Sequence, residues 1–382
     1  MITRHKTREV PCGKLVIGGS HPIWVQSLTT TATKDTEATK TEIRRMLDAG
    51  CEIVRISCFD AGDAQGIGAI KKFLPPEVPL VCDIHFNYKF ALEAIRQGVD
   101  KVRLNPGNVG GKASVFDDEA KRREKEVAEA AKQAGISMRV GVNSGSVEQD
   151  LLDKYGYATA DAIYESGVRH CEWLEKCGFR NIVVSLKSTS METVVSAYLR
   201  FGKSTDIPLH VGVTEAGLPG YGTIKSAIGI GRILLEGLGD TIRVSLTGDK
   251  ALEVHAGFDI LKATGRRVRA PEIIACPLCG RAAVAHESLV SRLNEKIRDL
   301  KIPMRISILA CAVNGPGEAA EADIGAAGER GQWNIFKQGK PLRRVKDSEI
   351  LVEMEKEVRK LAAEMEAQGA QPGGHLKLTI KD

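Results

Sequence analysis

Aromatic residues are scarce in this chain, at 5% of 382 residues. The core must therefore be built from Val, Ile, Leu and Ala, within a hydrophobic fraction of 43% that is ordinary for a globular protein. Long apolar runs are missing too. No stretch reaches the roughly 20 residues that span a bilayer, and the segment from Met1 to Leu15 is polar and mixed in charge, without the apolar region of a secretory signal. Neither charge dominates: 54 basic and 49 acidic residues leave a formal net charge of +5. So mild an excess argues against a dedicated nucleic-acid protein, but it would suit an anionic metabolite if focused in a pocket. The nine cysteines are an odd number in a chain with no secretory signature, so a reducing cytoplasm without structural disulfides is expected. Cys12, Cys51, Cys58, Cys82, Cys171 and Cys177 are scattered, and each is expected to be a small buried hydrophobe.

What is present is a regular alternation. Short β-branched runs at Trp24–Leu28, Glu52–Ser57, Leu80–Ile84, Lys101–Leu104, Met138–Asn143, Ile182–Leu186, Leu209–Val213 and Ile242–Leu246 are separated by helical stretches. Eight such units predict a closed parallel α/β barrel of about the usual 250 residues, with an open doubly wound sheet as the competitor. The spacer Asp117–Gln133 is dense in Lys, Arg and Glu and reads as an outer helix with a solvated face. After the linker-like Gly265–Pro271 the texture changes to a Gly-rich, Cys-bearing segment. Apolar residues at helical spacing between Asp347 and Gln368 predict a packed terminal helix, and the residues from Pro372 on a strand or a loose tail. The expected domains are residues 1–264 and a smaller α+β unit, 265–382.

Parallel barrel strands are covered on both faces, so polar residues inside them need a reason. Here they gather toward the C-terminal strand ends, where barrel enzymes keep their chemistry. Arg55, Asp83, His85, Arg103, Asn105, Arg139, Asn143, Lys187, Arg243 and Ser245 fall there, many in phase by the period of two. Arg55, Arg103, Arg139, Lys187 and Arg243 would converge on one mouth, at a prohibitive cost unless an anion neutralised them. Guanidinium forks match phosphate oxygens, so a multiply charged phosphate ligand is expected. Glu215, the lone carboxylate ending an apolar strand, is a candidate proton donor or acceptor, with a structural ion pair as the alternative. A purely phosphate-binding scaffold would leave Glu215 without a purpose.

The second constellation is Cys276-Pro-Leu-Cys279-Gly-Arg281, answered by Cys311-Ala-Val-Asn-Gly-Pro-Gly-Glu318. Soft thiolates suit an iron–sulfur cluster, whereas a hard carboxylate oxygen is the more easily displaced ligand. Cys-Pro-x-Cys-Gly is also the knuckle of zinc ribbons, but the second Cys-x2-Cys that a ribbon needs is missing. His286 could still complete a Cys3His zinc site. Against it stands Asn314-Gly315-Pro316-Gly317, a bend that would return Glu318 toward the metal.

With these motifs the chain resembles the 4-hydroxy-3-methylbut-2-enyl diphosphate synthase family over essentially its whole length. Supporting segments are Val25-Gln26-Ser27, Arg103-Leu104-Asn105-Pro106-Gly107-Asn108, Val142-Asn143-Ser144-Gly145-Ser146, Thr214-Glu215-Ala216-Gly217 and Ser245-Leu246-Thr247-Gly248-Asp249. Residues 328–340 look less typical. The resemblance implies a TIM (β/α)8 barrel followed by an α+β domain holding a [4Fe–4S] cluster on Cys276, Cys279, Cys311 and Glu318. It implies a two-electron reductive ring opening of 2-C-methyl-D-erythritol 2,4-cyclodiphosphate, bound by Arg55, Arg103, Asn105, Arg139, Asn143, Lys187 and Ser245. Glu215 would handle a proton and Glu318 would take part in the chemistry. Flavodoxin or ferredoxin would supply electrons to a homodimer in which one chain's cluster domain caps the other's barrel. The competing reading is a metal-independent, pterin-synthase-like barrel transferase with a structural zinc appendage.

Overall fold

The computed structural model describes residues 3–109 and 116–368. The chain divides into two compact units, Met1–Ile260 and Leu261–Asp382. In the first, eight parallel strands form one sheet: β1 (Trp24–Leu28), β2 (Ile53–Cys58), β3 (Leu80–Ile84), β4 (Lys101–Leu104), β5 (Ser137–Asn143), β6 (Ile182–Lys187), β7 (His210–Val211) and β8 (Thr241–Ile242). Their order is β6-β5-β4-β3-β2-β1-β8-β7, and a parallel bridge from Val184 to Leu209 joins the two edges into a ring. This is the predicted barrel. A hairpin, Val10–Cys12 with Leu15–Ile17, closes its N-terminal end by packing Val10, Cys12 and Ile17 on Ile53, Val81 and Val183.

The outer helices begin where the sequence supplies caps. Asp60, Asp117, Thr159 and Ser190 each accept a hydrogen bond from the backbone N–H three residues on. One expectation for these helices needs correction. The helix Asp118–Gln133 carries its charges outward except Glu124, which is buried. Two strands are also shorter than expected, ending at Val211 and Ile242 rather than Val213 and Leu246. Near the mouth their backbone turns to side chains: the Leu246 N–H donates to Glu253 Oε1 at 2.9 Å rather than to a ladder partner.

The second unit is a five-stranded sheet in sequential order: β9 (Glu272–Ala275), β10 (Arg305–Leu309), β11 (Ile324–Glu329), β12 (Gln332–Lys337) and β13 (Lys340–Lys346). β9, β10 and β11 run parallel, and β12 and β13 return antiparallel. Helices Glu287–Lys296 and Ile350–Ala367 cover one face through Leu289, Leu293, Met354, Val358 and Leu361. The less typical residues 328–340 form an ordinary hairpin, with Trp333 fully buried and its Nε1 donating to Asp347 Oδ1 at 2.8 Å. The stretch from Pro372 lies outside the described residues. Of the six cysteines expected to be buried, five are, and Cys177 is half-buried.

Candidate active site

Register lines up the inner face of the barrel. Asp83 pairs with Arg103, Arg103 with Arg139, Gly141 with Ser185, and Asn143 with Lys187. Asp83, 2% exposed, is the hub. Arg55 Nη2 donates to its Oδ2, Arg103 Nη1 donates to its Oδ1 at 3.0 Å, and His85 Nε2 stands 3.6 Å away. Burial opposes the charge on Asp83, but Arg55 and Arg103 outweigh it and hold the carboxyl far below its usual range. Arg103 Nη2 donates to Gly141 O at 2.8 Å. A side chain at position 141 would displace Arg103, because a Cβ would sit 2.2 Å from its Nε.

A second carboxylate, Glu253 on the helix Lys250–Ala263, is also buried. It accepts from Arg243 Nε and Nη2 at 3.1 and 3.0 Å, from Lys250 Nζ at 2.9 Å and from Ser27 Oγ at 2.8 Å. Arg243 Nη1 donates to Ser245 Oγ at 2.8 Å. Asn105 Nδ2 donates to Ser146 Oγ at 2.9 Å, which ties β4 to the loop after β5, while Asn143 is half-buried beside it.

Positive charge is left over. Arg139, 1% exposed, donates from Nη1 to Ser185 Oγ at 3.2 Å, but its Nε and Nη2 have no partner among the described residues. Burial, then Arg55 and Arg103, push its pKa well below the usual guanidinium value. For Lys187, burial, then Arg139 and Arg243, push the pKa well below the usual lysine value. Deeper in, Lys101 lies against Cys12, and His210 Nε2 is unpartnered among the described residues. Arg55, Arg103, Arg139, Lys187, Arg243 and Lys250 thus stand against two buried carboxylates, Asp83 and Glu253. Such a surplus in a low-dielectric interior calls for an anion carrying several charges.

Glu215 departs from its expected burial. It is exposed, in the loop after β7, with a left-handed backbone at φ +53°. Strand-by-strand reading also passed over Glu253, Lys250, Ser146, Lys101 and His210. Glu253 and Lys250 sit on a helix, outside the strand ends, although their i,i+3 spacing just after Thr247-Gly248-Asp249 was legible as a signal.

The cysteine motifs occupy the C-terminal ends of β9 and β10 in the second unit. Cys276 directly follows β9, and Leu278 turns the knuckle with φ +59°. Cys311 follows β10, and Gly315–Ala320 forms a short helix with Glu318 in its first turn. Cys276, Cys279, Cys311 and Glu318 line one cavity of about 350 Å3, with Ile274, Leu309 and Arg281 among its walls. All three thiols are free of disulfides. Backbone N–H groups of Asn314 and Val313 lower the Cys311 pKa below its usual value and so favour thiolate. Among the described residues no three His, Cys, Asp or Glu side chains converge tightly enough to hold a single metal ion. A cubane cluster takes each ligand on a different corner, so a donor set of three thiolates and one carboxylate spread around an apolar cavity fits it.

Residues 7–258 match the GcpE TIM-barrel domain, and residues 272–360 match the GcpE protein C-terminal domain. The chain belongs to the GcpE family. It is 45% identical to the 4-hydroxy-3-methylbut-2-en-1-yl diphosphate synthase (flavodoxin) of Anoxybacillus flavithermus, across 97% of this chain and 99% of that one. With the protein of the same name from Geobacillus thermodenitrificans it shares 46% identity, across 99% and 98% of the two chains. Among solved structures, the dihydropteroate synthase of Thermus thermophilus covers 67% of this chain and 98% of its own, at 13% identity and a TM-score of 0.47. No helix among the described residues is long and apolar enough to cross a membrane.

Proposed function

We propose that this GcpE-family chain is an iron–sulfur oxidoreductase that opens 2-C-methyl-D-erythritol 2,4-cyclodiphosphate to 4-hydroxy-3-methylbut-2-enyl diphosphate. Flavodoxin is the donor of the two electrons, in keeping with the names of the full-length relatives. The observation that carries the reading is the unneutralised cationic mouth of the barrel, in a chain whose second unit gathers three thiols and a carboxylate around one cavity. A cyclic diphosphate supplies the missing negative charge. Residues 1–264 form the diphosphate-binding barrel and residues 265–382 the cluster domain, in a cytoplasm that keeps the thiols reduced. The same relatives disfavour a pterin-synthase-like transferase with a zinc appendage.

Cys276, Cys279, Cys311 and Glu318 would hold a [4Fe–4S] cluster, which supplies one-electron steps that no side chain can provide. The chain's own groups do the rest. Arg55 and Arg103, fixed by Asp83, present guanidinium forks to one phosphate, and Arg139 and Lys187 meet the remaining charge. Arg243 and Ser245, fixed by Glu253, and Asn105 and Asn143 orient the ring. In the reaction a ring C–O bond breaks, a hydroxyl leaves as water, and protons accompany the two electrons. Glu215, exposed on its loop, supplies or relays one of those protons.

Anaerobic purification should yield a brown protein with about four irons and four sulfides per chain. It should turn over the cyclic diphosphate with reduced flavodoxin. A colourless protein with stoichiometric zinc would sink the reading. Glu318→Ala should retain the barrel but lose cluster stability in air; unchanged iron content would remove Glu318 from the ligand set. The homodimer with a shared site is tested by mixing Arg139→Met chains with Cys311→Ala chains. Regained activity supports it, and a mixture as inactive as its parts opposes it.

A further inference from the structure

His286 precedes the helix Glu287–Lys296 as its N-cap residue, yet its side chain makes no capping hydrogen bond. Instead the ring is buried, 2% exposed, with Nε2 3.3 Å from Cys276 Sγ. Its Nδ1 is buried without a partner among the described residues. The polar contacts of the ring thus lie on Cys276, through its thiol and its backbone, and Cys276 belongs to the cluster motif. The backbone N–H of Ala310 donates to the same sulfur at 3.4 Å, and Cys276 packs against Leu309, Ala319, Ala327 and Phe336. An apolar shell with two donors on one sulfur is the kind of surrounding that tunes a metal ligand rather than adding one.

A thiolate ligand has no proton of its own to give, so the hydrogen between the two atoms must ride on nitrogen. A bare Nε2 would set its lone pair against those of sulfur. Both the neutral Nε2–H tautomer and the imidazolium donate, so the direction of the bond does not depend on the charge of the ring.

We propose that His286 is a positioning residue for the cluster: its Nε2–H donates to the Cys276 thiolate, fixes that ligand's orientation and raises the cluster's reduction potential. A hydrogen bond to a ligand sulfur draws charge from it and favours the more electron-rich, reduced state, which is one of the recognised levers on cluster potential. The inference rests on the cluster reading given above.

The test compares the anaerobic full-length protein with His286→Leu, which has no donor, and His286→Gln, which keeps one. Each is assayed for iron and sulfide, then titrated potentiometrically with the reduced cluster followed by electron paramagnetic resonance. The three should carry equal iron and sulfide. The Leu variant should be about tenfold harder to reduce, a fall of about 59 mV for one electron, and the Gln variant should recover most of the difference. A Leu variant with a full cluster and an unshifted potential overturns the inference and leaves the cluster reading standing. Wild-type protein with zinc and no iron overturns the reading itself.

A second measurement decides the matter if the Leu variant fails to assemble. In wild type grown on ring-15N histidine, pulsed resonance should show a weak 15N coupling and an exchangeable proton. Absence of both refutes the hydrogen bond. A strong, direct 15N coupling would make His286 a ligand and refute the proposal equally.

Discussion

Arg139 offers the sharpest test of the cationic mouth. Its guanidinium is 1% exposed, and two of its three nitrogens have no partner among the described residues. An unsatisfied buried polar group costs about 1–3 kcal/mol, and replacing buried ionic groups by apolar ones of similar volume often stabilises by about 1–4 kcal/mol. Arg139→Met keeps the length of the stem and removes the charge. The empty variant should therefore be more stable than wild type by about 1–3 kcal/mol. At about 2–4 °C per kcal/mol for a unit of this size, the barrel transition should rise by about 2–12 °C.

The ligand reverses the order. A diphosphate at a hundred times its Kd adds about 2.7 kcal/mol to wild type. Losing charge-assisted hydrogen bonds worth about 1.5–3 kcal/mol each can weaken binding a hundredfold. The same concentration would then add only about 0.4 kcal/mol to the variant. Calorimetry in buffer free of phosphate and sulfate, with and without the cyclic diphosphate, reads both numbers. An empty variant less stable than wild type would refute the reasoning, because Arg139 would then be a net stabiliser compensated from elsewhere.

Three further outcomes follow from the same geometry. His170 lies between Glu124 Oε1 at 2.5 Å and Glu148 Oε1 at 2.8 Å; burial disfavours its charge, but the two carboxylates outweigh burial and push its pKa up to about 9. Because the folded value lies above the unfolded 6.5 or so, this stabilisation is fully present below about pH 6.5 and fades as pH rises through about 9, so the melting difference between wild type and His170→Gln should shrink from pH 7 to pH 10. Gly141→Ala should displace Arg103, whose Nε would lie 2.2 Å from the new Cβ, and kcat/KM should fall by at least about tenfold, a loss of roughly 1.4 kcal/mol, while circular dichroism stays unchanged. Glu215→Gly should relieve the left-handed strain, worth about 1–2 kcal/mol, and raise stability, while Glu215→Gln should not; both should lose turnover if Glu215 moves a proton, and full activity in either would remove it from the mechanism.

The barrel was legible because parallel strands leave a repeating trace, and because Arg103, Arg139 and Lys187 break apolar runs that otherwise need no polar residue. The carboxylates that hold those cations were harder to read. Asp83 lies in a strand, and its weight was underestimated beside the arginines. Glu253 lies on a helix, where a glutamate is usually solvated, and only its i,i+3 spacing from Lys250 after Thr247-Gly248-Asp249 marks it out. Glu124 is one acid among many on Asp118–Gln133, which only the packing of His170 distinguishes. Glu215 erred in the other direction. Its place after an apolar strand suggested burial, but the strand ends at Val211 and the loop carries Glu215 out to solvent. His286 looks like a metal ligand from spacing alone, which cannot separate a ligand from a residue that hydrogen-bonds to one.

The two buried carboxylates offset part of the positive charge that the barrel holds. Each serves more than one cation: Asp83 takes Arg55 and Arg103, and Glu253 takes Arg243 and Lys250. One negative charge between two cations fixes both in direction but neutralises neither fully. Orientation is thus settled by the fold, and the residual charge is left to the ligand. Affinity then comes largely from relief of repulsion among Arg55, Arg103, Arg139 and Lys187, and it grows with the charge the ligand brings. A monophosphate of the same ring would relieve only part of it. On the proposed function, selectivity for a diphosphate would follow from the cations the carboxylates leave unmatched.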